Sequence, residues 1–193
     1  MRSTGLFLLA AAALVLWEPA AAQPAECFGR APTITGTEAG DTLVGTPGND
    51  VILGLGGPDV IRGGDGRDRI CAGDGNDRVS AGDDRDLVSG DKGADYLFGG
   101  PGSDRLRGLA GPDRIQGKVG HDAILGGLHR DRLGGGGGSD TIFGHARSDI
   151  IRGGNGRDFL LGGRGNNDTT AGGSGIDSCI GERQFSCENP RDV

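Results

Sequence analysis

The sequence predicts an all-β solenoid built from about 16 nine-residue repeats, and three regularities in the same register support this prediction. Aspartate recurs every nine residues, 14 times in succession from Asp41 to Asp158, and then at Asp168 and Asp177 after a one-residue insertion. An aliphatic residue stands two positions after each aspartate of the unbroken series, from Leu43 to Leu160. Glycine precedes the aspartate by five residues in nearly every repeat. Three residue classes held in phase over this length indicate one structural unit repeated along the chain.

The glycine and aspartate residues predict a six-residue turn in each repeat. The unit is G-G-x-G-x-D-x-U-x, where U is a large aliphatic residue and the first glycine is position one. Position one is glycine except at Ala72 and Ala81. Glycine suits such a turn because it adopts positive φ values without steric cost. The glycines and the aspartate are all present at GGDGRD 63–68, GGPGSD 99–104, GGGGSD 135–140, GGNGRD 153–158 and GGSGID 172–177.

The remaining three residues of each repeat, x-U-x, predict a short strand. In a strand the middle residue faces one way and its two neighbours face the other. One aliphatic residue in nine cannot form a core alone, but successive triplets can stack into two parallel sheets with U between them. Each repeat then contacts its neighbours, as in other solenoids.

This repeat resembles the hemolysin-type, or repeats-in-toxin (RTX), calcium-binding nonapeptide family. The resemblance extends over residues 36–180, which is most of the chain that follows residue 22. It implies a right-handed parallel β-roll with two repeats per turn and calcium ions between successive turns of the roll. A catalytic domain and a pore-forming region, present in toxin and protease members, have no counterpart here. The resemblance therefore implies calcium binding for this chain, but neither toxicity nor proteolysis.

The resemblance implies that multiple calcium ions bind at the repeated aspartates. Aspartate suits this role because calcium takes six to eight oxygen ligands and a short side chain keeps the carboxylate beside its own turn. Neither histidine nor cysteine recurs at any one position of the repeat, which argues against zinc or copper. The alternative is that aspartate acts as a turn former through its own hydrogen bonds. The predicted metal-binding residues are Asp41, Asp50, Asp59, Asp68, Asp77, Asp86, Asp95, Asp104, Asp113, Asp122, Asp140, Asp158 and Asp177.

Calcium is expected to be weak or absent between Asp131 and Asp149, because the position-four glycines are replaced there by His129 and Arg147. Both side chains carry a Cβ, which strains a turn that needs positive φ. The guanidinium of Arg147 is expected to replace the cation as a counter-ion.

The composition predicts a fold that depends on cations. After residue 22, Leu, Ile, Val and Phe make up about one residue in five, at the border of what a chain needs to form a core. The same segment has 22 Asp but 4 Glu, and the net charge of the chain is −7. A large enzyme and a basic nucleic-acid binder are both disfavoured. HExxH, GxSxG and phosphate-loop motifs are absent, so no catalytic residues are predicted and the chain is not expected to be an enzyme.

The ends of the chain predict export and capping. Residues 1–22 are predicted to be a signal peptide. They contain a positively charged start at Arg2, a 13-residue apolar run over 5–17 and a small-residue cleavage site at 20–22. That run is too short to span a membrane. Residues 23–35 are predicted as an N-terminal cap with Ile34 facing inward, 36–180 as the calcium-binding roll and 181–193 as a C-terminal cap. The predicted location is secreted and extracellular.

Four cysteines, Cys27, Cys71, Cys179 and Cys187, predict two disulfides in an exported protein. Three connectivities are possible. Cys179 takes an aliphatic position, which favours a Cys179–Cys187 loop over the open end of the core. Cys71 takes an outward position, which favours a Cys27–Cys71 bond between the cap and the roll.

The outward positions seven and nine carry two further features. One is a set of arginines, either a solvated face that balances the aspartates or a surface for anionic glycans or lipid headgroups. The other is the apolar column Leu125, Phe143 and Leu161 with Phe159 beside it, either scattered surface residues or a partner or self-association surface. The arginines are Arg62, Arg69, Arg78, Arg105, Arg107, Arg114, Arg132 and Arg152.

The sequence thus predicts a secreted calcium-binding β-roll protein with a structural or extracellular-matrix role. The alternative is a calcium-dependent adhesin or a glycan-binding accessory module. The expected partners are calcium and a cell-surface or glycan partner of unknown identity, with no nucleic acid and no membrane span.

Overall fold

The computed structural model describes residues 26–164 and 167–180, together with the backbone of residues 183–185. Strands and turns account for the secondary structure of these residues, and no helix occurs among them. In particular, the described chain holds no helix with the length and apolar character needed to cross a membrane. The predicted signal peptide and most of the predicted C-terminal cap lie outside the described residues.

Within the described residues, eighteen short strands form two parallel sheets of nine strands each, and the chain alternates between the sheets with every strand. Sheet A contains β1 (Ile34–Thr35), β3 (Val51–Leu53), β5 (Arg69–Asp74), β7 (Leu87–Lys92), β9 (Arg105–Ala110), β11 (Ala123–Gly127), β13 (Thr141–Ala146), β15 (Phe159–Arg164) and β17 (Ser178–Ile180). Sheet B contains β2 (Thr42–Val44), β4 (Val60–Gly64), β6 (Arg78–Gly82), β8 (Tyr96–Pro101), β10 (Arg114–Val119), β12 (Arg132–Gly137), β14 (Ile150–Asn155), β16 (Thr169–Ser174) and β18 (Arg183–Phe185).

The register of the sheets follows from two repeats per coil. Ile52 pairs with Ile70 in sheet A, and Ile115 pairs with Leu133 in sheet B, so paired residues lie two repeats apart in the sequence. The insertion lengthens this step by one residue, as in the pairing of Ile151 with Thr170. The fold prediction is confirmed: the chain is a parallel β-solenoid of about eight turns, consistent with a β-roll.

The core is one column of position-eight side chains from each sheet, packed against each other between the sheets. Every position-eight residue from Ile52 to Leu160 is 0–2% exposed. Burial of each such aliphatic side chain contributes roughly 1.5–3 kcal/mol. Ala72 and Ala81, at position one, are also part of this core. Thr170 is a polar residue in the column, paired with Ile151 of the preceding coil. It is fully buried, and its hydroxyl oxygen makes no hydrogen bond.

The N-terminal segment closes the first coils in two ways. Ile34 and Leu43 are partly buried and pack against the end of the core. Cys27 and Phe28 instead lie on the outer face of sheet A, against Leu53 and neighbouring outward residues. The Cys27–Cys71 disulfide joins this segment to β5, with 5.7 Å between the Cα atoms. Cys179 is also disulfide-bonded, and its predicted partner, Cys187, lies outside the described residues.

Candidate metal-binding turns

The repeated aspartates form two continuous ladders, one along each edge of the roll. Each aspartate from Asp59 to Asp177 is at most 2% exposed. Its Oδ1 atom accepts a hydrogen bond from the backbone N–H of the aspartate one coil earlier, as from Asp86 to Asp104 and from Asp104 to Asp122, both at 2.9 Å. The backbone carbonyl of each repeated aspartate up to Asp158 also accepts a hydrogen bond from the next coil, for example from Ala123 N to Asp104 O at 2.8 Å. The side chain and the backbone thus hold the same turn in place.

The second carboxylate oxygen of these aspartates is buried and unpartnered. The set with a buried Oδ2 that makes no hydrogen bond comprises Asp59, Asp68, Asp77, Asp86, Asp95, Asp104, Asp113, Asp122, Asp131, Asp140, Asp149, Asp158 and Asp177. A buried polar group without a partner is unfavourable, and an ionised one far more so. The same orphaned oxygen in successive coils indicates a missing ligand rather than a local defect.

In most of these turns an orphaned oxygen and a backbone carbonyl oxygen both lie beside the glycine at position one. A Cβ built on Gly126 would lie 2.5 Å from Asp131 Oδ2 and 2.9 Å from the carbonyl oxygen of Gly144, which belongs to the next coil. A Cβ on Gly99 would likewise meet Asp104 Oδ2 and the carbonyl oxygen of Gly117. This explains the preference for glycine at position one, since a side chain would fill the space between two oxygens.

The donor set fits a hard cation. Among the described residues, no three His, Cys, Asp or Glu side chains come together as a metal cluster. A cation in these turns must therefore take backbone carbonyl oxygens in addition to the aspartates. Calcium accepts such mixed oxygen sets in flexible geometry, whereas zinc and copper favour nitrogen and sulfur ligands.

Burial and the stacking of like charges raise the pKa of these carboxyls. Burial, offset by the hydrogen bond from Asp86 N–H, raises the pKa of Asp104 to about 6. The pKa values of Asp95 and Asp113 are raised to about 7. Burial is again the largest cause, and repulsion from a neighbouring aspartate of the ladder adds to it. Because a bound cation favours the ionised form, cations and protons compete for these carboxylates.

The first two aspartates of the series differ from the rest. Asp41 Oδ2 accepts hydrogen bonds from Thr37 N and Oγ1 at 2.6 and 2.8 Å, and Asp50 Oδ2 accepts them from Thr46 N and Oγ1 at 2.6 and 2.9 Å. Burial alone would raise the pKa of Asp50, but hydrogen bonds from Thr46 and Thr33 lower it below its usual value. Both aspartates were predicted as metal-binding residues, and the structure gives their Oδ2 atoms protein partners. Threonine at position two is the sequence signal for this difference.

The predicted strain around Asp131 and Asp149 is found at one of two positions. Arg147 adopts a φ of 80°, in the left-handed region where a residue with a Cβ is strained. His129 does not adopt a positive φ, so the prediction of strain there is wrong. Its turn rearranges instead, and the imidazole Nδ1 accepts a hydrogen bond from Gly111 N at 3.0 Å.

The arginine whose charge acts on Asp149 also differs from the one predicted. Burial raises the pKa of Asp149 to about 7, and the positive charge that opposes this rise is that of Arg130, at position five of the turn one coil earlier. Arg147 was predicted as the counter-ion because it lies two residues from Asp149 in sequence. Neighbouring aspartates of a ladder belong to successive coils, so the charge of a residue in the preceding coil can act on Asp149.

The outer faces of the two sheets differ in charge. Five of the eight predicted arginines, Arg62, Arg78, Arg114, Arg132 and Arg152, lie on sheet B, whereas Arg69, Arg105 and Arg107 lie on sheet A. The predicted apolar column is also on sheet A, where Leu125 pairs with Phe143 and Phe143 pairs with Leu161. The rings of Phe143 and Phe159 lie 5.9 Å apart. Self-association through this column remains a prediction.

A comparison with protein families identifies the repeat. The model of the RTX calcium-binding nonapeptide repeat matches the chain in four copies, over residues 35–70, 72–106, 98–133 and 134–168. The chain belongs to the RTX calcium-binding repeat family. The predicted resemblance is therefore confirmed. The RTX match includes every aspartate with an orphaned Oδ2 atom except Asp177, so the sequence family and the geometry point to the same turns. No match was found among curated proteins.

Proposed function

We propose that this RTX-repeat chain is a secreted calcium-binding β-roll protein that folds on binding calcium in its Gly/Asp turns and has a structural role outside the cell. The observation that carries the proposal is the series of buried aspartate Oδ2 atoms, from Asp59 to Asp177, that lack a hydrogen-bond partner. The residues that would hold calcium are these aspartates together with carbonyl oxygens of the glycine-rich turns.

Electrostatics explain why folding depends on the cation. Successive coils are about 4.8 Å apart, so ionised neighbours such as Asp104 and Asp122 repel by about 0.9 kcal/mol even at the dielectric constant of bulk water. The repulsion is several-fold larger at the lower effective dielectric of a protein. Summed over a dozen coil contacts at that lower dielectric, the repulsion is comparable with the stabilisation that burial of the core provides. Bound calcium supplies the positive charge and the oxygen-coordinating bonds that link adjacent coils.

The way the carboxylates are used supports the proposal of a binding role rather than a catalytic one. The repeated aspartates, which are the main carboxylates in a buried, perturbed environment, already support the coils through their Oδ1 atoms. Secretion is supported by the predicted signal peptide and by the Cys27–Cys71 disulfide, since disulfides persist in oxidising compartments.

Circular dichroism of the chain from residue 23 tests the proposal. In metal-free buffer at pH 7.5 we expect a coil spectrum, and on adding calcium at millimolar or lower concentration a β spectrum. Magnesium at the same concentration should substitute poorly, because it demands stricter octahedral geometry and retains its waters. A metal-free chain that is already fully β at this pH, with no calcium bound in isothermal titration calorimetry, would contradict the proposal.

A further inference from the structure

The outer face of sheet B is basic along most of its length. Its outward residues at positions seven and nine, from β2 to β16, include five arginines and no aspartate or glutamate. We call this set of arginines the basic face: Arg62, Arg78, Arg114, Arg132 and Arg152. The acidic residues of the described chain are instead concentrated in the turns. The basic face is therefore a separate feature within a chain whose net charge is −7.

Aromatic rings hold two of these arginines, and Lys118 beside them, in place. The guanidinium of Arg114 lies 5.0 Å from the centre of the Tyr96 ring, and it also donates a hydrogen bond to the Tyr96 hydroxyl. The guanidinium carbon of Arg78 lies 5.4 Å from the centre of the Phe98 ring, and Lys118 Nζ lies 5.3 Å from it. Such cation–π contacts limit the side-chain freedom that a flexible arginine would lose on binding a ligand.

The centre of this face is a groove rather than a flat surface. Tyr96, Phe98, Arg114, Arg132 and Arg152 contribute to the lining of a cavity of about 400 Å³. Gly134, at position nine of β12, leaves a gap in the column of side chains. The amide of Gln116 extends over this gap, since a Cβ on Gly134 would lie 2.5 Å from Gln116 Nε2. The groove thus offers guanidinium and amide groups beside ring edges.

We propose that the basic face binds an acidic polysaccharide whose carboxylate or sulfate groups pair with the arginines. Arginines on adjacent strands, such as Arg114 and Arg132, recur at the strand spacing of about 4.8 Å, which is comparable with the length of one sugar residue in an extended chain. From Arg62 on β4 to Arg152 on β14 the face spans five such steps, or about 24 Å. A polysaccharide lying across the strands meets several arginines in succession.

Other polyanions fit this face less well. The strand triplets between the turns are only about 10 Å wide, and turn acids such as Asp65, Asp74 and Asp83 lie along both edges. A single narrow chain avoids these acids, whereas a membrane surface or a nucleic-acid duplex is broader. Bases of a single strand need open ring faces for stacking, but cations already lie over Tyr96 and Phe98.

A pair of matched double variants tests this site. Arg114→Gln with Arg132→Gln removes two position-seven charges from the basic face. Arg69→Gln with Arg105→Gln removes two position-seven charges from sheet A and gives the same net charge. Affinity is measured by isothermal titration calorimetry in calcium, with dextran sulfate, uncharged dextran and hyaluronate oligosaccharides as probes. Single-stranded DNA, duplex DNA and phosphatidylglycerol vesicles serve as the competing polyanions.

We expect dextran sulfate or hyaluronate to bind and uncharged dextran not to bind, and comparison of the two charged probes distinguishes sulfate from carboxylate recognition. The basic-face variant should bind about tenfold more weakly or worse, because charge-assisted contacts are lost. The sheet A variant should bind as the wild type does. Equal weakening in both variants, no binding of either charged polysaccharide, or tighter arginine-dependent binding of DNA or vesicles would overturn the proposal.

This proposal rests on the calcium-ordered roll of the proposed function, and the two fail in different ways. Circular dichroism of each variant in calcium reports on the roll. If the wild type is β in calcium but binds neither charged polysaccharide, the basic-face proposal fails and calcium-dependent folding stands. If calcium does not order the wild type, the proposed function fails whatever the polysaccharide result.

Discussion

At the scale of single residues, one carboxylate performs two tasks in this protein. The Oδ1 atom of an aspartate such as Asp104 completes the backbone hydrogen bonding of the previous coil, and its Oδ2 atom faces a carbonyl-lined space without a partner. The first task requires only an oxygen acceptor. The second requires a negative charge when a cation is bound. A substitution that retains the acceptor but removes the charge separates the two.

Asp104→Asn is expected to weaken or remove up to two calcium sites and to raise the calcium concentration needed for folding. The asparagine side-chain oxygen can still accept the hydrogen bond from Asp86 N–H, so the change acts mainly through charge. Calcium stoichiometry by isothermal titration calorimetry and the folding midpoint by circular dichroism measure the effect. Asp65→Asn, which removes an exposed charge at position three of a turn, is the matched control. Equal effects of the two variants would contradict the assignment.

Thr170 offers a second prediction at this scale. Its buried hydroxyl has no hydrogen-bond partner in a column that is otherwise largely aliphatic. Thr170→Val keeps the shape and removes the unsatisfied group, so it should stabilise the calcium-bound roll by about 1–2 kcal/mol. Chemical denaturation in calcium measures this difference. The same change at Thr169, which points outward at position seven, should leave the free energy of unfolding within about 0.5 kcal/mol of the wild type.

At the scale of the repeat, the turns tolerate substitutions at a cost in strain. Leu55, Asp91, Leu109, Lys118 and His145 take position two with φ between 70° and 87°, although glycine is preferred there. Asp84 and Arg147 do the same at position four, with φ of 75° and 80°. The backbone conformation is therefore set by the neighbouring coils rather than by the residue itself. Such positions cost of order 1–3 kcal/mol each.

Arg147→Gly should relieve this strain and raise the free energy of unfolding in calcium by about 1 kcal/mol. It also restores the glycine pattern beside Asp149, so calcium stoichiometry should not fall and is expected to rise. Thermal unfolding and calorimetry give the two readouts. Arg105→Gly, in the middle of the sheet A ladder, is the control and should instead destabilise by about 0.5–1 kcal/mol. A loss of stability in the Arg147 variant would show that its side chain is needed in the turn.

The Cys27–Cys71 disulfide stabilises the first coils from outside the core. The bond closes a loop with a sequence separation of 44 residues, for which chain entropy predicts about 4 kcal/mol. We expect the double variant Cys27→Ser with Cys71→Ser to lose about 2–5 kcal/mol. Because each coil contacts its neighbours, hydrogen exchange should increase most in β1 to β5 and least in β11 to β15. Uniform exchange along the roll would contradict this local effect.

At the scale of the whole molecule, the stacked carboxylates couple folding to protons as well as to calcium. Burial raises the pKa values of Asp86, Asp95, Asp113, Asp131 and Asp149 to about 7 in the folded chain. In an unfolded chain an aspartate has a pKa near 3.9. The folded state therefore binds more protons than the unfolded state between these values. The resulting stabilisation is complete below about pH 4 and is lost as the pH rises through 6 to 7.

We therefore expect the metal-free chain to be more ordered at pH 5 than at pH 8. With calcium the dependence on pH reverses, because protons compete for the same carboxylates and the half-saturating calcium concentration should rise as the pH falls below 7. Circular dichroism in chelator-treated buffers, with calcium titrated at each pH, measures both trends. A metal-free chain that gains order as the pH rises would contradict the raised pKa values.

The sequence alone determined most of this architecture, because a solenoid coil contacts only its neighbours. The period of nine therefore predicts the inward column of aliphatic residues and the repeated aspartate turns. The resemblance to RTX repeats adds the pairing of every second repeat and the two aspartate ladders. The Cys27–Cys71 pairing was also accessible, since Cys71 takes an outward position in this periodicity. What only the tertiary structure decided are contacts within single turns and between successive coils. The threonine hydrogen bonds to the Oδ2 atoms of Asp41 and Asp50 lie within one turn. The effect of the Arg130 charge on Asp149, the hydrogen bond to His129, and the cations over Tyr96 and Phe98 act between coils. Such contacts depend on rotamers and local turn geometry, which a repeat period does not specify.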